Sequence, residues 1–461
     1  MSQAQLPPDL LQAVSEPSGS LVLVLGAGCS VEAPTDLPAS RDMALEVERR
    51  LVLDGVLEPG ECQHPEDLSS VADSVFAKLH SQRELVARLQ IREMRLARPN
   101  AGTFIAAALL AERVVSCVLT LNFDLSIVAA LTQLGAVEVS VLGGPEDAVR
   151  LGVSNVIFLH RNAYADPDNW ILRRQQLDRS WKNEWEHVVA ARFLTAPKVV
   201  FAGMGSSAAV LSETMTWIMK SLKNVRPAFV DPGTLQSSRL AEQLGLTEAD
   251  HIREGWCDFM NRLARRVIQE QSARLATACR EFLAAEGFEQ EDVSGLLSKL
   301  GDVGLVGLGR VRAGWALDDR KYLPEVAIDI VLIADLVALV ALIERVTTVS
   351  ADFDEEGLVY FASPNGPKAV IFASGLGRRR WSSIEGLLRH RARSANRVAA
   401  RYRPRYAVVT GVHGARTRAA PPTDIVGTRL TGDLVSGPDE LDILDGDEIR
   451  SDPALAQKVV S

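Results

Sequence analysis

The stretch LVLVLGAGCS, residues 21–30, decides how the first half of the chain folds. An unbroken aliphatic run of this length is typical of a strand that is buried on both faces, as in a parallel sheet covered by helices. Gly26 and Gly28 leave the backbone after the strand without Cβ atoms, so that its N–H groups can face a bound pyrophosphate. A purely structural turn explains the two glycines about equally well, because the stretch is not a full GxGxxG pattern.

Aliphatic runs alternate with helical patterns from the N-terminus to about residue 275. They read LVLVLGAG, MALEVERRLVL, TFIAAALLAER, VVSCVLTLNFD, NVIFLH, KVVFAGMG, LSETMTWIMKSL and PAFVDP. This alternation indicates an α/β fold, namely a Rossmann-like, mostly parallel sheet with helices on both faces. Such sheets bind ligands at the carboxyl ends of their strands. Small or polar residues follow the predicted strands at that edge: Gly26 and Gly28, Asn122 and Asp124, His160, Gly203 and Gly205, and Asp231.

The pattern changes between about residues 270 and 300, which predicts a domain over 1–275 and a second α/β or α+β domain over 276–435. Residues 436–461 are strongly acidic, and we expect this tail to be partly disordered. An arginine-rich run at 378–405 is suited to phosphate contacts with nucleic acid. The run is also suited to pairing with the acidic tail or with an acidic surface of another subunit, and these alternatives together outweigh nucleic acid. Its arginines are Arg378, Arg379, Arg380, Arg389, Arg391, Arg393, Arg397, Arg401, Arg403 and Arg405.

Composition places the chain among globular proteins, since 47% of its residues are hydrophobic and 24% are charged. The net charge of −9 gives the whole chain no attraction to nucleic acid or to anionic membranes. The five cysteines form no CxxC pair, which fits a reducing cytoplasm and excludes a cysteine-rich zinc module, so no metal is expected. No secretory signal is recognisable, and Asp329 and Asp335 interrupt the longest aliphatic stretch. We therefore expect a cytoplasmic protein that does not enter membranes.

Four motifs occur in a fixed order, each after an apolar run. They are GAGCS (26–30) with APTDLP (33–38) downstream, TLNFD (120–124), FLHRN (158–162) and FAGMGSS (201–207). Together they resemble the sirtuin-like, or silent-information-regulator-type, NAD-binding domain over roughly residues 15–265. The resemblance is nearest to the branch found in bacterial anti-phage proteins, in which TTNYD and LHG are the usual forms.

The resemblance implies roles for individual residues of this chain. In the family the glycine turn holds the NAD pyrophosphate, the asparagine lies beside the nicotinamide ribose, and the histidine is the catalytic base. The implied catalytic residues are Asn122 and His160. The implied NAD-binding residues are Gly26, Ala27, Gly28, Ser30, Asp124, Gly203, Gly205, Ser206 and Asp231.

The residue types also suit the chemistry independently of the resemblance. Cleavage between nicotinamide and ribose passes through an oxocarbenium-like state, which requires a dry pocket, a polar group that orients ribose and water, and a base. Taken singly, Asn122 also fits a strand-end turn residue, and a lone His160 is more typical of a half-buried core histidine. The ordered set of four motifs favours the catalytic interpretation instead. Two departures from the family are visible: Arg161 stands where a glycine follows the histidine, and Leu121 precedes Asn122 where protein deacetylases have glutamine. With no cysteine pairs for a zinc module, NAD hydrolysis fits better than deacylation.

The sequence thus predicts an NAD glycohydrolase that takes NAD as substrate and acts as an effector of anti-phage defence by depleting NAD. Because such an activity harms the host, we expect regulation through homo-oligomerisation or a partner. The resemblance suggests a DNA-translocating ATPase or an Argonaute-like protein as that partner. Two alternatives stay open. One is a non-catalytic NAD or ADP-ribose sensor or scaffold whose second domain binds nucleic acid, and the other is NAD-dependent deacylation or ADP-ribosyl transfer.

Overall fold

A computed structural model of the protein describes residues 6–15, 20–205, 209–221, 227–285, 287, 293–315, 317, 328–354, 357–375, 381–398, 403–411 and 441–461. The chain divides into two compact units, Met1–Arg266 and Val267–Ser461. The division falls within one long helix, Trp256–Ala285. None of the helices in the described part of the chain combines the length and the apolar character that a membrane crossing requires.

A seven-stranded parallel sheet forms the centre of the first unit. Its strands are β1 (Leu21–Leu25), β2 (Val115–Thr120), β3 (Ser140–Leu142), β4 (Asn155–Phe158), β5 (Lys198–Ala202), β6 (Ala228–Val230) and β7 (His251–Ile252). They lie in the order β3-β4-β2-β1-β5-β6-β7 with every neighbouring pair parallel. The strands that follow β1 are added first on its β2 side and then on its β5 side. Right-handed crossovers therefore place helices on both faces of the sheet. The predicted α/β fold is confirmed.

The carboxyl ends of the central strands lie level with one another. Leu25, the last residue of β1, pairs with Thr120 of β2 on one side and with Ala202 of β5 on the other. The last residues of β4 and β6 continue this row outward. The loops that follow these strands therefore emerge at one edge of the sheet. The strand order reverses direction between β1 and β5. At such a switch point open α/β sheets form a ligand crevice.

Helices surround this sheet and also form a separate cluster. They are α1 (Pro8–Ser15), α2 (Ser40–Leu53), α3 (Leu68–Leu79), α4 (Arg83–Arg88), α5 (Ile91–Arg95), α6 (Ala101–Ala111), α7 (Ser126–Leu134), α8 (Arg174–Asn183), α9 (Trp185–Phe193), α10 (Ala209–Ser221), α11 (Arg239–Leu244) and the start of α12 (Trp256–Ala285). One core lies between the sheet and α8–α11 and includes Phe201 and Trp181. A second core joins α2–α5 to the segment after β4 through Trp170 and Leu172. The loop after β4 is thus held by the helical cluster.

The second unit contains a mixed five-stranded sheet. Its strands are β8 (Ala351–Phe353), β9 (Leu358–Phe361), β10 (Lys368–Ser374), β11 (Tyr406–Thr410) and β12 (Asp442–Asp445), in the order β12-β11-β10-β9-β8. The first three strands pair antiparallel and the last three parallel. Its helices are α13 (Ser294–Asp302), α14 (Gly304–Trp315), α15 (Ile328–Thr347), α16 (Trp381–Val398), α17 (Gly446–Ser451) and α18 (Pro453–Val460). The prediction of a second domain mixing helices and strands is confirmed, and the longest aliphatic stretch is the core helix α15.

The end of the acidic tail is folded. Strand β12 pairs in parallel with β11, and α17 and α18 bury Ile449, Ala456 and Val459 in the core of the second unit. The expectation of partial disorder is therefore wrong for residues 441–461. The segment carries five acidic residues, but its apolar residues recur at helical spacing and are sufficient to attach it. Residues 436–440 lie outside the described residues.

The arginine-rich run is not one uniform basic face. Arg391 donates to the Gly314 carbonyl oxygen, and burial lowers its pKa to about 10. Arg389 pairs with Glu385 on the same helix at 2.9 Å. The exposed side chains among the described arginines are Arg393, Arg403 and Arg405. Arg378, Arg379, Arg380 and Arg401 lie outside the described residues, as does the side chain of Arg397.

Candidate functional site

The glycine turn after β1 packs backbone to backbone against the loop after β5. A Cβ atom on Gly26 would lie 2.5 Å from the Gly203 carbonyl oxygen, and one on Gly28 would lie 2.7 Å from the Gly203 Cα atom. Gly203 has φ +63° and faces the backbone of Cys29 just as closely. The three glycines are thus required first by the contact between the two loops.

This contact also uses N–H groups of the turn. Gly26 donates to Ala202 and Gly28 donates to Gly203, each at 2.9 Å, while Cys29 donates back to Gly26 at 3.0 Å. Ala27 and Ser30 bound the short 3₁₀ turn that follows Gly26. The turn therefore serves mainly as a rigid support that sets the positions of Ala27 and Ser30.

A polar network joins the loops after β1 and β2. The Asn122 side-chain Nδ2 donates to the Gly26 carbonyl oxygen at 3.0 Å and to Ser30 Oγ at 3.2 Å. Ser30 Oγ in turn donates to Asp124 Oδ2 at 2.7 Å, and the other carboxylate oxygen accepts from the Ser126 N–H at 3.0 Å. Ser30 and Asp124 are buried, whereas Asn122 is half-buried. The network connects four of the predicted site residues, Gly26, Ser30, Asn122 and Asp124, and the Asn122 amide is its half-buried side chain.

His160 follows β4, the strand beside β2, and occupies the same position past its strand as Asn122 does. Its ring lies between Phe123, at 6.4 Å between ring centroids, and Trp181, at 6.0 Å. The Trp181 Nε1–H donates to His160 Nε2 at 3.2 Å. Burial, helped by the charge of neighbouring Arg161, lowers the pKa of His160 to about 3. The imidazole is therefore neutral at physiological pH.

Arg161 stands in a backbone conformation that favours glycine, with φ +74°. Its guanidinium pairs with Glu186 of α9 at 2.7 Å, and the Glu186 side chain is only 1% exposed. The Arg161 Cζ atom also lies 6.0 Å from the centre of the Trp185 ring. The arginine thus extends toward α9 and anchors the loop after β4 there.

Of the other predicted site residues that the structure describes, Asp231 and Gly205 share no hydrogen bond with this network. Asp231 follows β6 and accepts from the Gly233 N–H at 2.7 Å, as in a tight turn. Gly205 has φ +47° with no atom within 4 Å of a Cβ placed on it. Ser206 lies outside the described residues.

Two polar residues that the sequence analysis did not select, buried Asn100 and half-buried Glu32, support the site. Asn100 caps α6 and donates to the Cys29 carbonyl oxygen at 2.8 Å, so that it holds the turn after β1. Glu32 accepts from the Cys257 N–H at 3.2 Å at the start of α12. Asn100 lies directly before a helical pattern, and the rule that asparagine caps helices could have identified it. Glu32 gave no such signal.

The described residues offer neither a thiol with a lowered pKa nor a group of metal ligands. Burial raises the pKa of Cys29 and Cys117 well above the usual value for a thiol. Burial also raises the pKa of Cys257 to about 11 and that of Cys279 to about 12. Among the residues that the structure describes, no three His, Cys, Asp or Glu side chains are grouped so as to hold a metal ion.

Solved structures similar to this chain include several Sir2 proteins. A Sir2 homologue in complex with NAD is 19% identical, with a TM-score of 0.36 over 58% of this chain and 96% of that chain. A mutant Sir2 homologue in complex with ADP-ribose is 19% identical, with a TM-score of 0.34 over 57% and 98% of the two chains. A structure that addresses the mechanism and regulation of Sir2 enzymes is 14% identical, with a TM-score of 0.35 over 57% and 99%. No protein-family model and no curated protein matches the chain. The function of this chain therefore has to be argued from its own residues.

Proposed function

We propose that the first unit binds NAD in the crevice at the carboxyl ends of its strands and hydrolyses it to nicotinamide and ADP-ribose. The observation that carries this proposal is the network Asn122–Ser30–Asp124, which joins two strand ends next to the loop that bears His160. These residues come from separate motifs that resemble the sirtuin-like NAD-binding domain. Their contact joins the ends of β1 and β2, beside the switch point between β1 and β5 at which open α/β sheets bind dinucleotides.

The reaction suits the groups that meet there. The bond between C1′ of the ribose and the pyridinium nitrogen breaks, its electron pair goes to that nitrogen, and nicotinamide leaves as a neutral molecule. Water then adds to C1′, and the proton it loses passes to solvent because the protonated hydroxyl is strongly acidic. The Asp124 carboxylate stabilises the cationic transition state, while Asn122 and neutral His160 orient ribose and water.

The wider role follows from the resemblance to the anti-phage branch. We propose a cytoplasmic effector that depletes NAD and is held in check by homo-oligomerisation or by a partner such as a DNA-translocating ATPase or an Argonaute-like protein. We propose that any contact of the second unit with nucleic acid involves Arg393, Arg403 and Arg405, whose side chains are exposed.

The test is nicotinamide release from NAD by the purified full-length chain and by Asn122→Ala. Removal of the amide should lower kcat at least about a hundredfold, the scale of a lost transition-state hydrogen bond. The matched control is Asn155→Ala, because Asn155 is a buried asparagine at the amino end of β4 whose side chain hydrogen-bonds with the Gly152 backbone. Equal rates for the two variants would contradict the proposed site.

One observation favours the sensor as a second candidate. The lone pair of neutral His160 is already engaged by Trp181, so that binding without catalysis is chemically reasonable. A sensor would bind NAD with an affinity that Asn122→Ala weakens, yet release no nicotinamide in the presence of nucleic acid or lysate from phage-infected cells. Release of nicotinamide under any of these conditions would exclude it.

A further inference from the structure

Two successive residues of the loop after β4 are held by the helical hairpin α8–α9. His160 accepts a hydrogen bond from Trp181 of α8, and Arg161 pairs with Glu186 of α9. Trp181 is fully buried in the core beneath the sheet, and Glu186 is nearly so. These buried contacts fix the orientation of the imidazole ring from one side.

The contact with Trp181 also decides which ring nitrogen carries the proton. An indole N–H is only a donor, so His160 Nε2 must be the unprotonated nitrogen. In a neutral ring the proton is then on Nδ1. Among the described residues Nδ1 has no hydrogen-bond partner, and the whole residue His160 is 6% exposed.

We propose that Trp181 is a positioning residue that fixes His160 as the Nδ1–H tautomer, so that the imidazole presents a hydrogen-bond donor, and not a basic lone pair, to the bound ligand. This inference rests on the proposed function for its catalytic meaning. A donor suits an oxygen of the ligand, such as a ribose hydroxyl or the attacking water. Trp181 itself is fully buried and acts only through His160.

The charged surroundings support the same assignment. Arg161 is the charged residue that acts on His160, and its positive charge disfavours a second proton on the ring. Glu186 on α9 faces Arg161 and pairs with it at 2.7 Å. Asp124, on the loop after β2, is engaged with Ser30 and the Ser126 N–H. Because the ring is neutral, the Trp181 indole N–H determines which of its two nitrogens carries the single proton.

The experiment is ¹⁵N NMR of the full-length protein labelled at histidine, with the His160 signals assigned through His160→Gln. At neutral pH we expect wild-type His160 to show the Nδ1–H tautomer alone, and Trp181→Phe to show a mixture of both tautomers. The matched control is Trp170→Phe, since Trp170 is equally buried and donates its indole N–H to the Ala165 carbonyl oxygen. This control should keep the wild-type tautomer.

Nicotinamide release gives a second readout. Trp181→Phe should lower kcat by roughly tenfold with little change in KM, because the orientation of the ring is lost while its binding contacts remain. A wild-type spectrum with the proton on Nε2, or a rise in kcat on Trp181→Phe, would overturn the proposal. The NMR result is independent of turnover, so a protein that shows the fixed tautomer but releases no nicotinamide contradicts the proposed function and not the role of Trp181.

Discussion

At the scale of single residues, buried neutral His160 links stability to pH. Its pKa is about 3 in the folded protein and about 6.5 in the unfolded chain. The unfolded state therefore binds one more proton between these values, and stability falls as the pH falls through this window. The expected loss is about 1.4 kcal/mol of unfolding free energy per pH unit below about pH 6.5.

Urea unfolding of His160→Gln between pH 7 and pH 5 checks this expectation. The variant should lose less stability than the wild type over this range, by about 2 kcal/mol. The control is His64→Gln, because the His64 side chain is 58% exposed and its replacement removes little buried surface. Parallel pH dependence of wild type and His160→Gln would show that the imidazole is not held neutral.

The glycine turn supplies a second expectation at this scale. In Gly28→Ala the new Cβ would lie 2.7 Å from the backbone of Gly203, and neither loop can move without breaking the hydrogen bond between them. We expect a loss of about 2–3 kcal/mol, measured by urea unfolding. Gly295→Ala is the control, since no atom lies within 4 Å of its added Cβ, and it should be neutral or slightly stabilising. Equal changes in unfolding free energy for the two variants would show that the close contact between the two loops does not stabilise the protein.

At the scale of elements, the pair Arg161–Glu186 attaches the loop after β4 to α9. Arg161→Gly relieves the strain of φ +74° but leaves the buried Glu186 carboxylate without this partner. We expect the single variant to lose about 3 kcal/mol and the double variant with Glu186→Gln to recover most of that loss. A double-mutant cycle by urea unfolding measures the coupling. A coupling energy near zero would show that the pair does not anchor the loop.

The elements also show how far sequence can predict this structure. The strands β1, β2, β4, β5 and β6 could be predicted, because each is an apolar run that ends in glycine or a polar residue. Their level carboxyl ends follow from parallel pairing, and so the meeting of Asn122 with Ser30 could be expected. The strands β3, β7 and β12 could not, since each has only two to four residues and little hydrophobic pattern.

Long-range side-chain contacts were the other part that sequence could not predict. Trp181 has the spacing of an ordinary core residue in α8, and only the fold brings its N–H to His160. The departure at Arg161 was visible, but its partner lies 25 residues further along the chain and was not. Sequence patterns report periodicity within an element, whereas these contacts depend on how α8 and α9 pack against the sheet.

At the scale of the whole molecule, the two units have separate hydrophobic cores. Trp181 and Phe201 lie in a core of the first unit, while Trp315 and Phe372 lie in the core of the second. Two units with separate cores are expected to unfold in two calorimetric transitions. The Trp315 side chain is fully buried and donates to the Gly357 carbonyl oxygen at 2.9 Å, so Trp315→Ala should lower the transition of the second unit by several degrees.

These two transitions allow NAD binding to be assigned to one unit without any turnover. A ligand that binds only the folded first unit stabilises that unit by about 2.7 kcal/mol at a hundred times its Kd. Calorimetry of Asn122→Ala, chosen to prevent hydrolysis, with and without excess NAD should show an upward shift of the first unit's transition. The transition that Trp315→Ala identifies as the second unit should not move. If NAD instead raised that transition, the nucleotide site would lie in the second unit, and the crevice at β1 and β5 would be a structural feature of the sheet.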